Sequence, residues 1–103
     1  MDLSEFRQFS DPALLILASL AGGAKHGYAI MEDIESMAGV RLGPGTLYGA
    51  LTRLEQRGMI EALEADERRR PYRLTSTGIA VLRAQLASLE KFANTGLQRL
   101  ASI

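Results

Sequence analysis

The stretch that decides the fold runs from Leu42 to Ile60 and reads LGPGTLYGALTRLEQRGMI. Its leucines at positions 47, 51 and 54 have the four- and three-residue spacing of one apolar stripe on an α-helix. Pro44 suits the first turn, where its missing N–H costs no hydrogen bond, and Gly58 suits a C-terminal cap. The opposite face lacks acidic residues and consists of Thr46, Gly49, Ala50, Thr52, Arg53 and Arg57. These side chains are small, hydroxylic or cationic, so we interpret this element as a recognition helix that can approach a phosphate-lined groove.

The composition limits the classes of protein that need to be considered. With 103 residues, the chain is long enough for one domain with a modest core. No apolar run approaches the roughly 20 residues of a membrane span, and the N-terminus lacks the basic start of a signal peptide. There are no cysteines, which excludes disulfides and thiolate sites and agrees with a cytoplasmic protein. His26 is the only histidine, so we expect no catalytic residue, metal or cofactor and interpret it as a helix-start or packing residue.

The charge is distributed unevenly, although the net charge is zero. Residues 1–39 are acidic overall, whereas residues 40–73 contain seven arginines against five acids. Arginine is the side chain best suited to bidentate contacts with phosphates and bases. The central part of the chain therefore suits a nucleic-acid partner better than the net charge indicates.

Two helices are predicted before the recognition helix. Asp11 and Pro12 form an N-cap and first-turn pair, and the apolar segment after them ends at Gly22. The next helix opens at His26-Gly27-Tyr28 and stops at Gly39. Together with the helix from Pro44, this second helix makes a helix-turn-helix pattern. Residues 1–10 are equally consistent with a short helix and a frayed terminus.

A hairpin is predicted after the recognition helix. Residues 59–64 have a mixed pattern that suits a strand, and residues 70–74 alternate well enough for a returning strand. Pro71 is expected to restrict this second strand to a sheet edge. The connection carries Arg68, Arg69 and Arg70, so the two strands make a wing with a basic tip.

The last helix is predicted to start in Thr75-Ser76-Thr77-Gly78 and to continue to about residue 100. It carries an apolar seam of near-heptad spacing, formed by Leu82, Leu86, Leu89, Ala93, Leu97 and Leu100. A core built from about 75 residues cannot cover this stripe along its whole length. We therefore predict a homodimer, with residues 1–75 as the DNA-binding domain and residues 76–103 as the dimerisation helix.

Three blocks of the sequence resemble PadR-type transcriptional regulators, which are dimeric winged-helix DNA-binding proteins. The blocks are residues 14–20 with His26–Ile30, residues 44–55, and residues 70–78. The resemblance covers about residues 12–80, and it is specific because of the order and spacing of the blocks. The single helix after the wing is similar to the short-tailed subgroup. One departure is Gly43, where many relatives have Ser or Thr, which weakens the helix N-cap by a few tenths of a kcal/mol.

The resemblance implies a mainly α fold, a winged helix-turn-helix with a two-stranded β wing and a long C-terminal dimerisation helix. It implies a repressor that binds a pseudo-palindromic double-stranded operator and is released by a small effector. The residues implied to contact DNA are Tyr28, Thr46, Tyr48, Thr52, Arg53, Arg68, Arg69 and Arg70. An apolar dimer interface can also leave a cavity for a hydrophobic effector, and Phe9, Leu89 and Phe92 are the candidate lining residues.

Several alternatives remain open at the level of sequence. Tyr48 is either a partly buried aromatic residue or a hydroxyl aimed at DNA, and the arginine run is either a solvated hairpin tip or a phosphate contact. The alternative function is a winged-helix protein-interaction module, or a sensor of hydrophobic ligands, without direct DNA readout. An enzyme has little support, because the sequence shows no nucleophile–base pair, metal cluster or phosphate loop.

Overall fold

The computed structural model describes residues 11–103, which form four α-helices and three short strands. In chain order the elements are α1 (Pro12–Ala21), β1 (Lys25–His26), α2 (Gly27–Ala38), α3 (Pro44–Gln56), β2 (Ile60–Ala62), β3 (Pro71–Leu74) and α4 (Ser76–Ala101). The mainly helical winged helix-turn-helix with a long last helix is thus confirmed. Phe9 and the predictions for residues 1–10 lie outside the described residues.

Helix α1 begins as its sequence predicts and lies inside the domain. The Asp11 carboxylate accepts a hydrogen bond of 3.0 Å from the backbone N–H of Ala13, and Pro12 opens the helix. The apolar side chains of Leu15, Ile16 and Leu17 are all buried, because this helix packs against α2, α3, α4 and β3. Helix α1 is therefore the element around which the others assemble.

The predicted leucine stripe of α3 is the part of that helix that enters the core. Leu47, Leu51 and Leu54 are at most 3% exposed, and they pack with Ile30 and Ile34 of α2. Burying these side chains on one side turns Thr46, Thr52, Arg53 and Arg57 outward. The outward position predicted for Ala50 is wrong, because this residue is 1% exposed and packs beside the leucines in the core. Helix α2 ends at Gly39, whose φ of 69° is the left-handed conformation expected of a helix-terminating glycine.

The sheet differs from the predicted wing in having three strands, in the order β1-β3-β2, all antiparallel. Strand β1 was not predicted from the sequence, because a strand of two residues is too short to show an alternating pattern. The edge position predicted for Pro71 is wrong, since β3 lies in the centre and Pro71 pairs with His26. Proline is tolerated there because it is the first residue of the strand. Its carbonyl still accepts a hydrogen bond of 2.8 Å from the Leu63 N–H.

A small polar network fixes β1 to α1 and α2. The Ser19 hydroxyl, which is buried, donates a hydrogen bond of 2.6 Å to the carboxylate of Asp33. The Lys25 ammonium group donates to the Ser19 carbonyl and lies 3.7 Å from the same carboxylate. Lys25 is thereby held between the two helices, and His26, the next residue, is placed at the start of α2.

Among residues 11–103, the buried residues that attach α4 to the domain lie in its first two turns. The Thr75 hydroxyl accepts a hydrogen bond of 3.1 Å from the Gly78 N–H and donates one of 2.6 Å to the Gly58 carbonyl. Within α4 the buried residues are Gly78 and Leu82, and later apolar side chains such as Phe92 are exposed. The helix of 26 residues, about 39 Å long, therefore extends beyond its own domain.

Candidate nucleic-acid interface

The outward face of α3 carries the residues predicted to contact DNA. Thr46, Thr52 and Arg53 are exposed, and Tyr48 is 50% exposed. Gly43 is the N-cap and makes no side-chain hydrogen bond, as its lack of a hydroxyl requires. Within the described part of the chain, the first backbone N–H groups of α3 therefore have no side-chain cap and, with the positive end of the helix dipole, suit an anion.

Thr52 presents acceptor groups rather than a donor. Its hydroxyl donates a hydrogen bond of 2.9 Å to the backbone carbonyl of Tyr48, one turn earlier in α3. A threonine hydroxyl has only one proton to donate. In this rotamer Thr52 therefore offers its oxygen lone pairs and methyl group, which suit a base amino group or a thymine methyl better than a phosphate oxygen.

Arg53 lies over the smallest residue of the same face. Its Nη1 atom would lie 3.6 Å from a Cβ atom added at Gly49, so the guanidinium group folds back along α3. Within residues 11–103, the ion pairs are Lys25–Asp33, Arg41–Glu35 and Arg73–Glu61. Arg53 and the arginines at positions 68–70 belong to none of these pairs.

The wing ends in a tight two-residue turn. Asp66 and Arg69 pair through two backbone hydrogen bonds of 2.7 and 2.8 Å, and the residues between them are Glu67 and Arg68. Both central residues have positive φ, 49° and 79°, which is typical of a type I′ hairpin turn. This conformation is more often taken by Asn and Gly, and here it exposes the Arg68 side chain at the tip.

The wing and the helix-turn-helix together enclose a cleft of about 410 Å³. It is lined by His26, Gly27, Tyr28, Tyr48, Arg68, Arg69, Arg70 and Tyr72. Five of the eight predicted DNA-contact residues thus lie around one cleft. Thr46, Thr52 and Arg53 are not among its lining residues and lie on α3 alone.

Two of the three tyrosines of this cleft, Tyr28 and Tyr48, are exposed, and the position of Tyr48 depends on a neighbouring glycine. Tyr28 is 61% exposed, so neither Tyr28 nor Tyr48 is an ordinary core aromatic residue. A Cβ atom at Gly27 would lie 2.6 Å from the Tyr48 hydroxyl, which is too close for ordinary contact. Gly27 therefore allows the Tyr48 ring to lie against the start of α2.

Tyr72 is a residue of the cleft that sequence reasoning missed as a functional candidate. Burial raises the pKa of its phenol, the nearby carboxylate of Glu55 and Tyr48 raise it further, and Arg70 acts in the opposite direction. The phenol is therefore protonated at neutral pH and can donate a hydrogen bond. Its place in the alternating segment 70–74 was the only sequence signal for it.

The predicted seam of α4 divides into a buried and an exposed part. Leu82 is 5% exposed and packs in the core of its own chain, so it is not available to a second copy as the seam prediction assumed. Leu89 is half-buried, whereas Leu86, Leu97 and Leu100 are exposed. Phe92, a candidate effector residue, is 77% exposed.

A second groove, of about 540 Å³, lies between the end of α1, β3 and the first half of α4. Its apolar lining includes Leu20, Ile79 and Leu86, and its cations are Arg73 and Arg83. Neither Leu89 nor Phe92 lines this groove. Within residues 11–103, no group of three or more metal-binding side chains occurs, and no helix is long and apolar enough to cross a membrane.

Comparison with known sequences agrees with this arrangement. The model of the transcriptional regulator PadR-like family matches residues 16–84. Transcriptional regulator Rv3488 of Mycobacterium tuberculosis is 39% identical over 92 residues, which cover 84% of this chain and 85% of that protein. An uncharacterized 37.1 kDa protein in a transposon of Streptomyces fradiae is 45% identical over 82 residues, 80% of this chain. Transcriptional activator GvpE2 of Halobacterium salinarum is 31% identical over 74 residues, 72% of this chain. The match spans only 24% of the Streptomyces protein and 37% of GvpE2.

Solved structures give the same answer for the fold. A PadR family transcription regulator from Clostridium difficile superimposes with a TM-score of 0.77 and 26% identity, over 86% of this chain and 97% of that one. A transcriptional regulator from Clostridium thermocellum gives a TM-score of 0.72 and 30% identity, over 81% and 86% of the two chains. By its sequence match, its winged helix-turn-helix and its long last helix, this chain belongs to the PadR-like family of transcriptional regulators.

Proposed function

We propose that this regulator is a homodimeric repressor that binds a pseudo-palindromic operator in double-stranded DNA. The observation that carries the proposal is the continuous surface made by the outward face of α3 and the arginine-lined cleft. Glu55 is the only acidic residue of α3. It lies in the last turn of the helix, near Tyr72, whose pKa its charge raises. A DNA target would also place the protein in the cytoplasm.

The residues of α3 supply the base contacts in this proposal. Arg53 is the candidate for a bidentate contact with guanine, because its guanidinium group has no acidic partner among the described ion pairs. Thr52 accepts from a base amino group or touches a thymine methyl. Thr46, in the first turn, binds a phosphate together with the free backbone N–H groups of α3.

The cleft residues supply the contacts with the DNA backbone. The hydroxyls of Tyr28 and Tyr48 donate to phosphate oxygens on one side of the cleft. On the other side, Arg68, Arg69 and Arg70 contact phosphates or enter the minor groove. These contacts position the dimer on the duplex, and α3 then reads the sequence in the major groove.

The part of α4 beyond Leu82 is the proposed dimer interface. It consists of the half-buried Leu89 and the exposed residues Leu86, Ala93, Leu97 and Leu100. An apolar surface of this length on a helix that leaves its domain favours pairing with a second copy. Residues 1–75 then form the DNA-binding domain and residues 76–103 the dimerisation helix. Leu82 anchors this helix to the core.

We further propose that a small hydrophobic effector binds between the two copies against Phe9, Leu89 and Phe92. Such a ligand would change the crossing angle of the two α4 helices and misalign the two α3 helices. The relative GvpE2 is a transcriptional activator, so the direction of regulation needs its own measurement. Transcription from the bound promoter should fall when the protein is added, and a rise would identify an activator.

The DNA contact is tested by fluorescence anisotropy with duplex DNA from upstream of the protein's own gene. Affinity should fall steeply with salt, by a slope of about −0.9 in log K against log salt for each phosphate contacted. The variant Arg53→Ala should lose about 1–3 kcal/mol of specific binding. The control Arg99→Ala removes the same charge from the last turn of α4 and should bind as the native protein does. A lack of binding at low salt would instead favour the protein-interaction module or hydrophobic-ligand sensor.

A further inference from the structure

His26 makes a side-chain contact between the wing and the helix-turn-helix. It is the last residue of β1 and the N-cap of α2. Its Nε2 atom lies 3.3 Å from Nη1 of Arg69, which is 43 residues further along the chain. Its Nδ1 atom lies 3.4 Å from the backbone nitrogen of Ala29, within reach of a hydrogen bond from that N–H. One imidazole ring therefore faces the tip of the wing on one side and the first turn of α2 on the other.

These two contacts cannot form at the same time, because each needs a ring nitrogen that accepts a hydrogen bond. A guanidinium group and a backbone N–H can only donate hydrogen bonds, and a neutral imidazole has a single acceptor nitrogen. When Nε2 accepts from Arg69, the ring proton is on Nδ1 and the Ala29 N–H loses its acceptor. When Nδ1 accepts from Ala29, the proton is on Nε2 and the ring cannot hold Arg69.

The contact with His26 matters for DNA binding because Arg69 lines the cleft. Its backbone is fixed by the two hydrogen bonds to Asp66, but its long side chain is exposed and lines the cleft. A long exposed side chain loses conformational freedom when a phosphate fixes it. A contact that already holds the guanidinium group at the cleft reduces that loss.

We propose that His26 is a positioning residue for DNA binding, which holds Arg69 at the cleft in the free protein and in the DNA complex, while other N–H groups of the same guanidinium group contact a phosphate. The inference rests on the proposed DNA-binding function. In both states the ring proton is on Nδ1 and Nε2 accepts from Arg69. The contact thereby joins the wing to the start of the helix that carries Tyr28.

Two substitutions separate the roles of the two ring nitrogens. In His26→Asn, the short amide keeps an acceptor near the position of Nδ1 and preserves the cap, but it does not reach Arg69. In His26→Gln, the longer amide reaches toward Arg69. We expect His26→Asn to weaken DNA binding about two- to fivefold, as loss of an exposed contact does, and His26→Gln to restore most of it. Unfolding in urea checks that both variants fold.

A double-mutant cycle gives the decisive comparison. His26→Asn should cost no further affinity in the Arg69→Ala background, because the contact is already absent there. The matched control is Arg68→Ala, the neighbouring wing arginine, in whose background His26→Asn should cost as much as in the native protein. An equal cost of His26→Asn in the Arg69→Ala background would overturn the proposal.

Nitrogen-15 NMR of the ring tests the contact without DNA. The free native protein, its DNA complex and free Arg68→Ala should carry the ring proton on Nδ1, whereas free Arg69→Ala should carry it on Nε2. The same tautomer in free native protein and free Arg69→Ala would show that His26 does not hold Arg69. If the native protein binds no DNA, the proposed function fails, whereas this NMR comparison still decides whether the contact exists.

Discussion

At the scale of single residues, two glycines make the architecture possible by their lack of a side chain. Gly27 lets the Tyr48 ring lie against the start of α2. Gly78 has an even closer neighbour, because a Cβ atom there would lie 1.9 Å from the carbonyl oxygen of Met59. That oxygen also accepts a hydrogen bond of 3.1 Å from the Thr75 N–H, so it cannot move without loosening the start of α4. Gly78 therefore fixes α4 to the sheet.

We expect Gly78→Ala to lower the free energy of unfolding by about 1–3 kcal/mol, because α4 must shift away from the Met59 carbonyl. The control Gly96→Ala lies in the same helix, and a Cβ there meets no atom within 4 Å. This control should gain about 0.5–1 kcal/mol through the better helix propensity of alanine. Urea unfolding at fixed protein concentration measures both changes, and equal effects of the two substitutions would contradict this role of Gly78.

At the scale of elements, α4 has two parts, which differ in whether their apolar side chains are buried within the same chain. Its first turns share the core of the domain through Gly78 and Leu82. Leu86, Leu97 and Leu100 continue the same spacing but are exposed in the single chain. Because that surface is apolar and continuous, we expect a second α4 to cover it.

Leu89→Glu should convert the dimer to a monomer, since it places a charge in the proposed apolar interface. Gln98→Glu makes the same change of charge on an exposed position that helical spacing turns away from the seam, and it should remain dimeric. Light scattering distinguishes a particle of 11.2 kDa from one of twice that mass. A dimer that survives both Leu89→Glu and Leu86→Glu would place the interface elsewhere.

The elements that sequence reasoning predicted well are those with a repeating signal. Helix α3 follows from the spacing of its leucines, and α1 from Asp11 and Pro12 at its start. Strand β1 escaped prediction because it has two residues and is stabilised by pairing with β3, which is distant in sequence. Pro71 was wrongly predicted at a sheet edge because β1, which pairs with the other side of β3, had not been predicted.

The sequence predicted which residues form the candidate site, but not which of them lie together in the structure. The sequence indicates which residues of α3 face outward, and it places an arginine run at the wing tip. That Tyr28, Tyr48 and Arg68–Arg70 surround one cleft depends on how the wing folds back over the helix-turn-helix. The contact between His26 and Arg69, and the place of Tyr72, follow from the same tertiary packing and leave no local pattern.

At the scale of the whole molecule, the chain is elongated because of α4. The radius of gyration is 15.4 Å, compared with about 13 Å expected for a compact domain of this length. The longest dimension is 55 Å and the shortest 20 Å. A pair of such chains joined along α4 would separate two α3 helices, and a two-fold dimer binds half-sites about 34 Å apart, one turn of DNA.

The most direct measurement is selection of bound sequences from random duplex DNA, with the native protein and with Arg53→Ala. We expect the native protein to enrich an inverted repeat whose half-sites are centred about 10 base pairs apart. We expect Arg53→Ala to lose the base preference at one position in each half-site and to keep the others. No enriched sequence, or the same sequence with unchanged preferences for both proteins, would contradict the claim that the outward face of α3 reads DNA.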